Sequence, residues 1–319
     1  MKLVTTHRLP EDAVRAISPD IEILQVAGEE ALLRAAPDAD AIIGGFGGSS
    51  GAQFERLVRA AKRVRWIHTS SAGVDPLFCP DFVSRDIVLT CAKGHAVGTL
   101  LAEHAFALVL ALTRGIAVCA RMKTWGRNSR AGRGVSELRG KTLGIVGFGG
   151  VGLALARRAR AFDMDVVAVR RTPSDDAPEG VAVWGTDRLN DLLACSDAVV
   201  LTVPLTQETK GMFDRPAFER MKPTAILVNV GRGEVVDIEA LIDALRNNRI
   251  AGAGLDVFEQ EPLPDDSPLW DMENVVITPH IAGNSPDRAG RNLETVLENL
   301  RRFVQGRPLI GVVDKTAGY

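Results

Sequence analysis

Thr142-Leu143-Gly144-Ile145-Val146-Gly147-Phe148-Gly149-Gly150-Val151-Gly152 is the stretch that decides the fold. An apolar run of strand character leads directly into G-x-G-x-x-G, and helical character follows over 151–161. Each glycine has a separate physical job: Gly147 permits the tight turn, Gly149 lets the backbone approach a pyrophosphate, and Gly152 lets helix and strand pack closely. The helix N-terminus then faces the phosphate charge. The glycine spacing alone also fits a ligand-free βα turn, but the strand before it and the helix after it make it a dinucleotide site. Gly147, Phe148, Gly149, Gly150, Val151 and Gly152 are therefore candidate cofactor contacts.

The second strand of such a fold normally ends in a carboxylate that holds the adenosine ribose, about twenty residues beyond the glycines. Here the strand 165–169 ends at Arg170-Arg171-Thr172-Pro173, with no acid at its tip. Two guanidiniums suit a 2′-phosphate, to which they form charge-assisted and often bidentate bonds. The residues thus favour NADP(H), with NAD(H) as the second choice; the bland alternative is two arginines on a loop.

Outward from the turn, strands and helices alternate on both sides. Before it, strands are expected at 2–5, 21–26, 41–44, 64–67 and 88–90, with helices at 11–17, 29–36 and 52–61. After it, strands are expected at 165–169, 197–203, 225–230, 252–257 and 275–278, with a helix at 238–247. Such alternation indicates βαβ units and mostly parallel sheets. The segment 99–113 is apolar nearly all round apart from Glu103 and His104, and reads as a helix buried between layers or domains. Ser285-Pro286 offers an N-cap for a last helix of about twenty residues. The expected architecture is α/β with two domains: a dinucleotide-binding domain, 98–284, inserted into a substrate domain made of 1–97 and 285–319.

Composition sets the outer bounds. With 319 residues, 46% of them hydrophobic and 24% charged, the chain can fill large cores without disulfides. A net charge of -2 argues against a dedicated nucleic-acid binder. No segment has the length of a membrane span, and the amino-terminal residues lack a signal-peptide core, so a cytoplasmic location is expected. Cys79, Cys91, Cys119 and Cys195 are too scattered for a local metal or redox motif, and read as buried reduced thiols. The balanced charge hides a basic arm over 121–141, where Glu137 is the one acid among Arg121, Lys123, Arg127, Arg130, Arg133, Arg139 and Lys141. The arm reads as a solvated segment, or else as a subunit contact or anion-attracting rim.

Three further segments fall at predicted strand ends, where an open parallel sheet places its ligands. They are Leu227 to Gly233, Gly254 to Pro262, and Ile277 to Gly283, and they carry Arg232, Glu261 and His280. Together with Ser71-Ala72-Gly73-Val74-Asp75, Ala102-Glu103-His104-Ala105, the glycine turn, Val203-Pro204-Leu205-Thr206 through Thr209 and the ending from Gly306-Arg307-Pro308-Leu309, they give a chain that resembles the D-isomer-specific 2-hydroxyacid dehydrogenases.

The resemblance implies a Rossmann-type domain inserted into a flavodoxin-like one, a homodimer, and hydride transfer in a cleft that closes by a hinge motion. The reaction implied is reduction of a small 2-oxo acid, such as glyoxylate or hydroxypyruvate, to the D-2-hydroxy acid. Arg232 is implied to clamp the substrate carboxylate and carbonyl, His280 to act as proton donor and acceptor, and Glu261 to orient His280. Ser71, Ala72 and Gly73 are implied to receive the substrate carboxylate. Asp256 is implied to meet the nicotinamide carboxamide, with Val203, Pro204, Thr209, Val230, Gly231 and Gly283 lining the cofactor. Chemistry supports these assignments: a guanidinium recognises a planar carboxylate, and an imidazole titrates near neutrality.

Cys91 departs from the asparagine common in the family, and with Lys93-Gly94-His95 it is expected to edge the substrate pocket, His95 reading equally well as a junction loop residue. Glu103-His104 reads as capping and inter-domain hydrogen bonding rather than a catalytic pair. Two alternatives stand beside the reductase: a nucleotide-sensing corepressor-like protein, and a phosphite or formate dehydrogenase variant of the same fold.

Overall fold

A computed structural model of the chain describes residues 1–46, 50–123, 125, 135–172 and 177–319, with the backbone alone for His95 and Ala96. It divides into two compact units, Met1–Val97 with Ser285–Tyr319, and Gly98–Asn284.

The first unit is built on five strands, β1 (Lys2–Thr5), β2 (Glu22–Gln25), β3 (Ala41–Gly44), β4 (Trp66–Thr69) and β5 (Val88–Cys91), all parallel in the order β2-β1-β3-β4-β5. That 2-1-3-4-5 order is flavodoxin-like, with its topological switch between β1 and β3. Alternate side chains feed two separate cores, as the twofold strand period requires. Ile42 and Ile67 join Phe54, Leu57 and Phe82 on one face, while Ile43 and Trp66 join Val296 and Leu300 on the other. The segment after the last helix returns to β5: Cys91 N–H donates to Gly311 O and Val313 N–H to Leu89 O.

The second unit carries β6 (Thr142–Val146), β7 (Asp165–Val169), β8 (Val181–Trp184), β9 (Ala198–Leu201), β10 (Ile226–Asn229), β11 (Gly252–Leu255) and β12 (Val275–Ile277). The order β12-β11-β10-β9-β6-β7-β8 is fully parallel and reverses direction at the β6/β9 junction. This is the doubly wound arrangement in which ligands bind outside the carboxyl ends of the strands, at the reversal. Helix His95–Thr113 covers one face through Ala102, Ala105, Phe106, Leu108 and Val109; Leu192, Phe213, Phe218 and Leu241 fill the other.

Several sequence expectations shift. β4 begins at Trp66 and runs through His68 and Thr69, two residues later than the apolar pattern suggested. The reason is that its polar residues are buried with partners: Thr69 Oγ1 accepts the Phe46 N–H at 3.2 Å, and His68 lies between Thr90 and Asn292. Edge strand β8 had no counterpart in the sequence reading, because a half-buried four-residue edge lacks a long apolar run. The last helix is Arg288–Val304 with Asp287 at its N-cap; Ser285 instead forms the preceding turn, its hydroxyl accepting the Asp287 N–H. Of the four cysteines expected to be buried, Cys79 and Cys91 are, Cys195 is half-buried and Cys119 is exposed. Much of the basic arm, including Arg127, Arg130 and Arg133, lies outside the described residues, as does Pro173.

Candidate active site

At the β6 end the three glycines meet three different constraints. Gly147 has φ +98°, and a Cβ there would lie 2.9 Å from Thr202 Oγ1. A Cβ at Gly152 would lie 2.5 Å from Gly147 O, so helix Gly150–Ala161 closes on the turn only because the side chain is missing. A Cβ on Gly149 would meet nothing within 4 Å, which leaves its backbone open on the side from which a phosphate would come. Phe148 is buried beneath the turn, and Gly149 caps the helix with its first amides unpaired within the helix. The site therefore fits a pyrophosphate by shape and by dipole.

The β7 tip carries Arg170, half-buried, and Arg171 and Thr172, both exposed. The Arg170 N–H donates to Trp184 O, and its Nε donates to Thr172 O at 2.6 Å, so the loop folds back on its own arginine. At the β9 tip, on the other side of β6, Thr209 Oγ1 donates to Pro204 O at 2.7 Å and also accepts the Thr206 N–H at 2.8 Å, tying Val203 through Thr209 into a compact loop.

Arg232 follows β10. Asn229, buried at the strand end, donates from Nδ2 to Arg232 O at 2.9 Å and accepts the Gly231 N–H at 3.0 Å, which turns the chain sharply. Gly231 is needed because a Cβ there would sit 2.9 Å from Val203 O. Gly233 admits no side chain either, since it lies against the Phe258 and Glu259 backbone. Arg232 is thereby fixed on a rigid corner packed against the segment that carries Glu261.

Glu261 and His280 meet directly: His280 Nδ1 donates to Glu261 Oε2 at 2.7 Å, while Glu261 Oε1 accepts the Phe258 N–H at 3.0 Å. The carboxylate is held at one oxygen and orients the imidazole with the other. The His280 side chain is 53% exposed, and no described residue meets its Nε2. Its backbone stands at φ +53°, a left-handed conformation in which non-glycine residues mark functional turns.

Asp256 is 1% exposed and serves the chain itself. Its carboxylate accepts Thr278 Oγ1 at 2.6 Å and the amides of Ile281 and Ala282 at 2.9 Å each. Burial pushes this carboxyl up, but hydrogen bonds from His104, Thr278 and the two amides outweigh it and hold it below the ordinary range. Glu103 and His104 diverge on their helix: Glu103 pairs with Arg158 at 2.7 Å, and His104 Nε2 reaches Thr278 Oγ1 at 2.8 Å. Both partners lie in the same unit, which corrects the inter-domain expectation for this pair. Val230 is buried, and Gly283 follows Ala282 at the end of the turn.

In the first unit, Ser71, Ala72 and Gly73 follow β4. Ser71 N–H donates to Thr69 Oγ1 and its carbonyl accepts the Ala92 N–H, whereas no described residue accepts from the amides of Ala72 and Gly73. Arg288 donates to Ser70 O at 2.9 Å. Gly45 separates His7 from Ser70: a Cβ there would be 3.4 Å from His7 Nε2 and 3.4 Å from Ser70 Oγ. His7, at the β1/β3 switch, and Arg288 were missed by the sequence reading, although their places directly after β1 and before the last helix were a usable signal. Cys91 is 1% exposed within the core, so its side chain does not edge a pocket; burial raises its thiol. The side chain of His95 lies outside the described residues. Among the described residues no group of acidic, cysteine and histidine side chains could hold a metal, and no helix is long and apolar enough to cross a membrane.

The NAD binding domain model of the D-isomer specific 2-hydroxyacid dehydrogenases matches residues 106–282. The chain is 36% identical over 317 residues to the glyoxylate reductase of Pyrococcus furiosus, covering 96% of this chain and 93% of that protein. It is 34% identical over 318 residues to the D-3-phosphoglycerate dehydrogenase of Archaeoglobus fulgidus, covering 98% of this chain but 59% of that longer protein. Among solved structures, the NADPH-dependent glyoxylate/hydroxypyruvate reductase of Sinorhizobium meliloti, in complex with NADP and sulfate, matches with a TM-score of 0.81 at 28% identity, covering 100% of this chain and 99% of that one. The chain belongs to the D-isomer-specific 2-hydroxyacid dehydrogenases, enzymes that use a nicotinamide dinucleotide.

Proposed function

We propose that this enzyme reduces a small 2-oxo acid, glyoxylate or hydroxypyruvate first, to the D-2-hydroxy acid, with NADPH preferred over NADH. The observation that carries the reading is the Glu261–His280 pair at 2.7 Å, with Arg232 on an adjoining rigid corner of the same sheet edge. The names of the relatives point the same way.

Gly147, Gly149, Gly150 and the amides opening helix Gly150–Ala161 would hold the pyrophosphate, and Arg170 and Arg171 the 2′-phosphate. The nicotinamide, when bound, supplies the hydride. The protein's own part is electrostatic and positional. Arg232 binds the substrate carboxylate and polarises the ketone oxygen by a planar, charge-assisted pairing. His280 presents Nε2 to that oxygen and delivers a proton to the alkoxide as it forms. Glu261 fixes the ring through Nδ1, so that Nε2 is the nitrogen that exchanges the proton. The amides of Ala72 and Gly73 offer the first unit's own carboxylate receptor.

A homodimer and a cytoplasmic location belong to the same reading. Ile116, Trp125 and Val135, exposed by 55%, 96% and 40%, give apolar surface for a second copy to cover. The test is a panel of 2-oxo acids assayed with NADPH and NADH in parallel. Turnover of glyoxylate or hydroxypyruvate, with kcat/KM higher for NADPH, is expected. Tight NADPH binding with no turnover across the panel would instead indicate a nucleotide-sensing protein.

A further inference from the structure

The left-handed turn that carries His280 is stabilised from behind by groups that touch neither Glu261 nor the imidazole ring. His280 N–H donates to Asp256 O at 2.8 Å, and the next two amides, of Ile281 and Ala282, donate to the two carboxylate oxygens of Asp256. Thr278 enters the same carboxylate through its hydroxyl at 2.6 Å. Since the Thr278 proton points at Asp256, its oxygen has only lone pairs left for His104 Nε2 at 2.8 Å, so Nε2 must carry a hydrogen. The same Nε2 stands 3.4 Å from Asp256 Oδ1, which brings a basic side chain to a buried carboxylate. The chain His104 to Thr278 to Asp256 to the turn amides is continuous, and helix His95–Thr113 anchors its far end.

We infer that His104 is a positioning residue for the reaction: through Thr278 and Asp256 it sets the backbone conformation that aims His280. The inference rests on the proposed role of His280. A left-handed non-glycine residue is strained and persists only where its surroundings over-determine it. Here the over-determination runs through one carboxylate, and what orients that carboxylate decides where the imidazole lies. Glu261 then controls the ring's rotation, while His104 controls, at one remove, the ring's place. Displacing a reacting group by about 1 Å can cost on the order of 100-fold in rate.

The test compares His104→Phe and Thr278→Val, which keep volume and remove the relay, with His104→Gln and Thr278→Ser, which keep a donor or hydroxyl. His280→Ala is measured alongside on the full-length enzyme. Both relay-breaking variants should lower kcat about 10- to 100-fold, with KM for NADPH nearly unchanged, and the conservative variants should recover most of the loss. The His104→Phe, Thr278→Val double variant should be no worse than either single one, because both cut the same chain. In cofactor-free protein, the His280 Nδ1–H resonance should broaden in the relay-breaking variants and stay sharp in the conservative ones. Wild-type kcat in both relay-breaking variants, or additive losses in the double variant, would overturn the positioning role while leaving His280 in place if His280→Ala is inactive. Full activity of His280→Ala would remove the proton donor itself, and the positioning role with it.

Discussion

His68 and His280 show how the same side chain is committed to opposite ends. His68, at 0% exposure in β4, has both ring nitrogens satisfied by neutral groups, Thr90 Oγ1 at 2.8 Å and Asn292 Oδ1 at 3.2 Å. Asn292 Oδ1 can only accept, so Nε2 carries the hydrogen of the neutral ring and Nδ1 accepts the Thr90 hydroxyl proton, while the Thr90 oxygen accepts from Trp66 Nε1. Burial pushes its pKa down to about 4, against a smaller opposing contribution from Asn292 and with the charge of His7 adding to the fall. His280 has one nitrogen on a carboxylate and the other turned to solvent. A buried ring with two neutral partners ties the last helix to β4 and has no proton to give; an exposed ring with one anionic partner can pass protons.

The contrast can be broken from either side. The largest effect is expected from His280→Ala, which should lower kcat on the order of 100- to 10,000-fold with the cofactor Kd, read by fluorescence titration, close to wild type. Next comes acid sensitivity of the first unit. Below pH 6.5 the unfolded chain takes up a proton that folded His68 refuses until about pH 4, so stability present above pH 6.5 is lost as pH falls through this window, by roughly 3 kcal/mol in all. Urea unfolding between pH 7 and 4 should show that slope, and His68→Gln, less stable throughout, should flatten it. A slope unchanged in His68→Gln would assign the acid sensitivity elsewhere. A smaller change is expected from Thr90→Val, which strands the Trp66 and His68 ring nitrogens and should destabilise by about 1–3 kcal/mol without altering kcat. Smallest, Arg170→Ala with Arg171→Ala should raise KM for NADPH by about tenfold, the loss of a charge-assisted pairing, and leave NADH nearly unaffected. Equal losses for both cofactors would refute the 2′-phosphate assignment.

The α/β class and the glycine turn were legible because their causes are local: three backbone constraints fall within six residues, and strand-helix alternation repeats along the chain. Arg232, Glu261 and His280 could be placed at strand ends for the same reason. What could not be read are the partnerships that depend on strand order. His104 lies 174 residues from Thr278, and His68 lies 224 from Asn292. No periodicity announces that Asp256 spends its carboxylate on the turn after β12, or that the polar end of β4 is buried. The burial of Cys91 is equally non-local: a place at a strand end suggests exposure, but the segment after the last helix covers it.

The measurement that bears most directly on the Glu261–His280 assignment is a double-mutant cycle on kcat with Glu261→Gln and His280→Ala. If the carboxylate acts by orienting the imidazole, Glu261→Gln should cost about 10- to 100-fold in the wild-type background and almost nothing once His280 is alanine. Equal losses in both backgrounds would mean that Glu261 and His280 act independently, and that the 2.7 Å bond between them has no part in the proton's path.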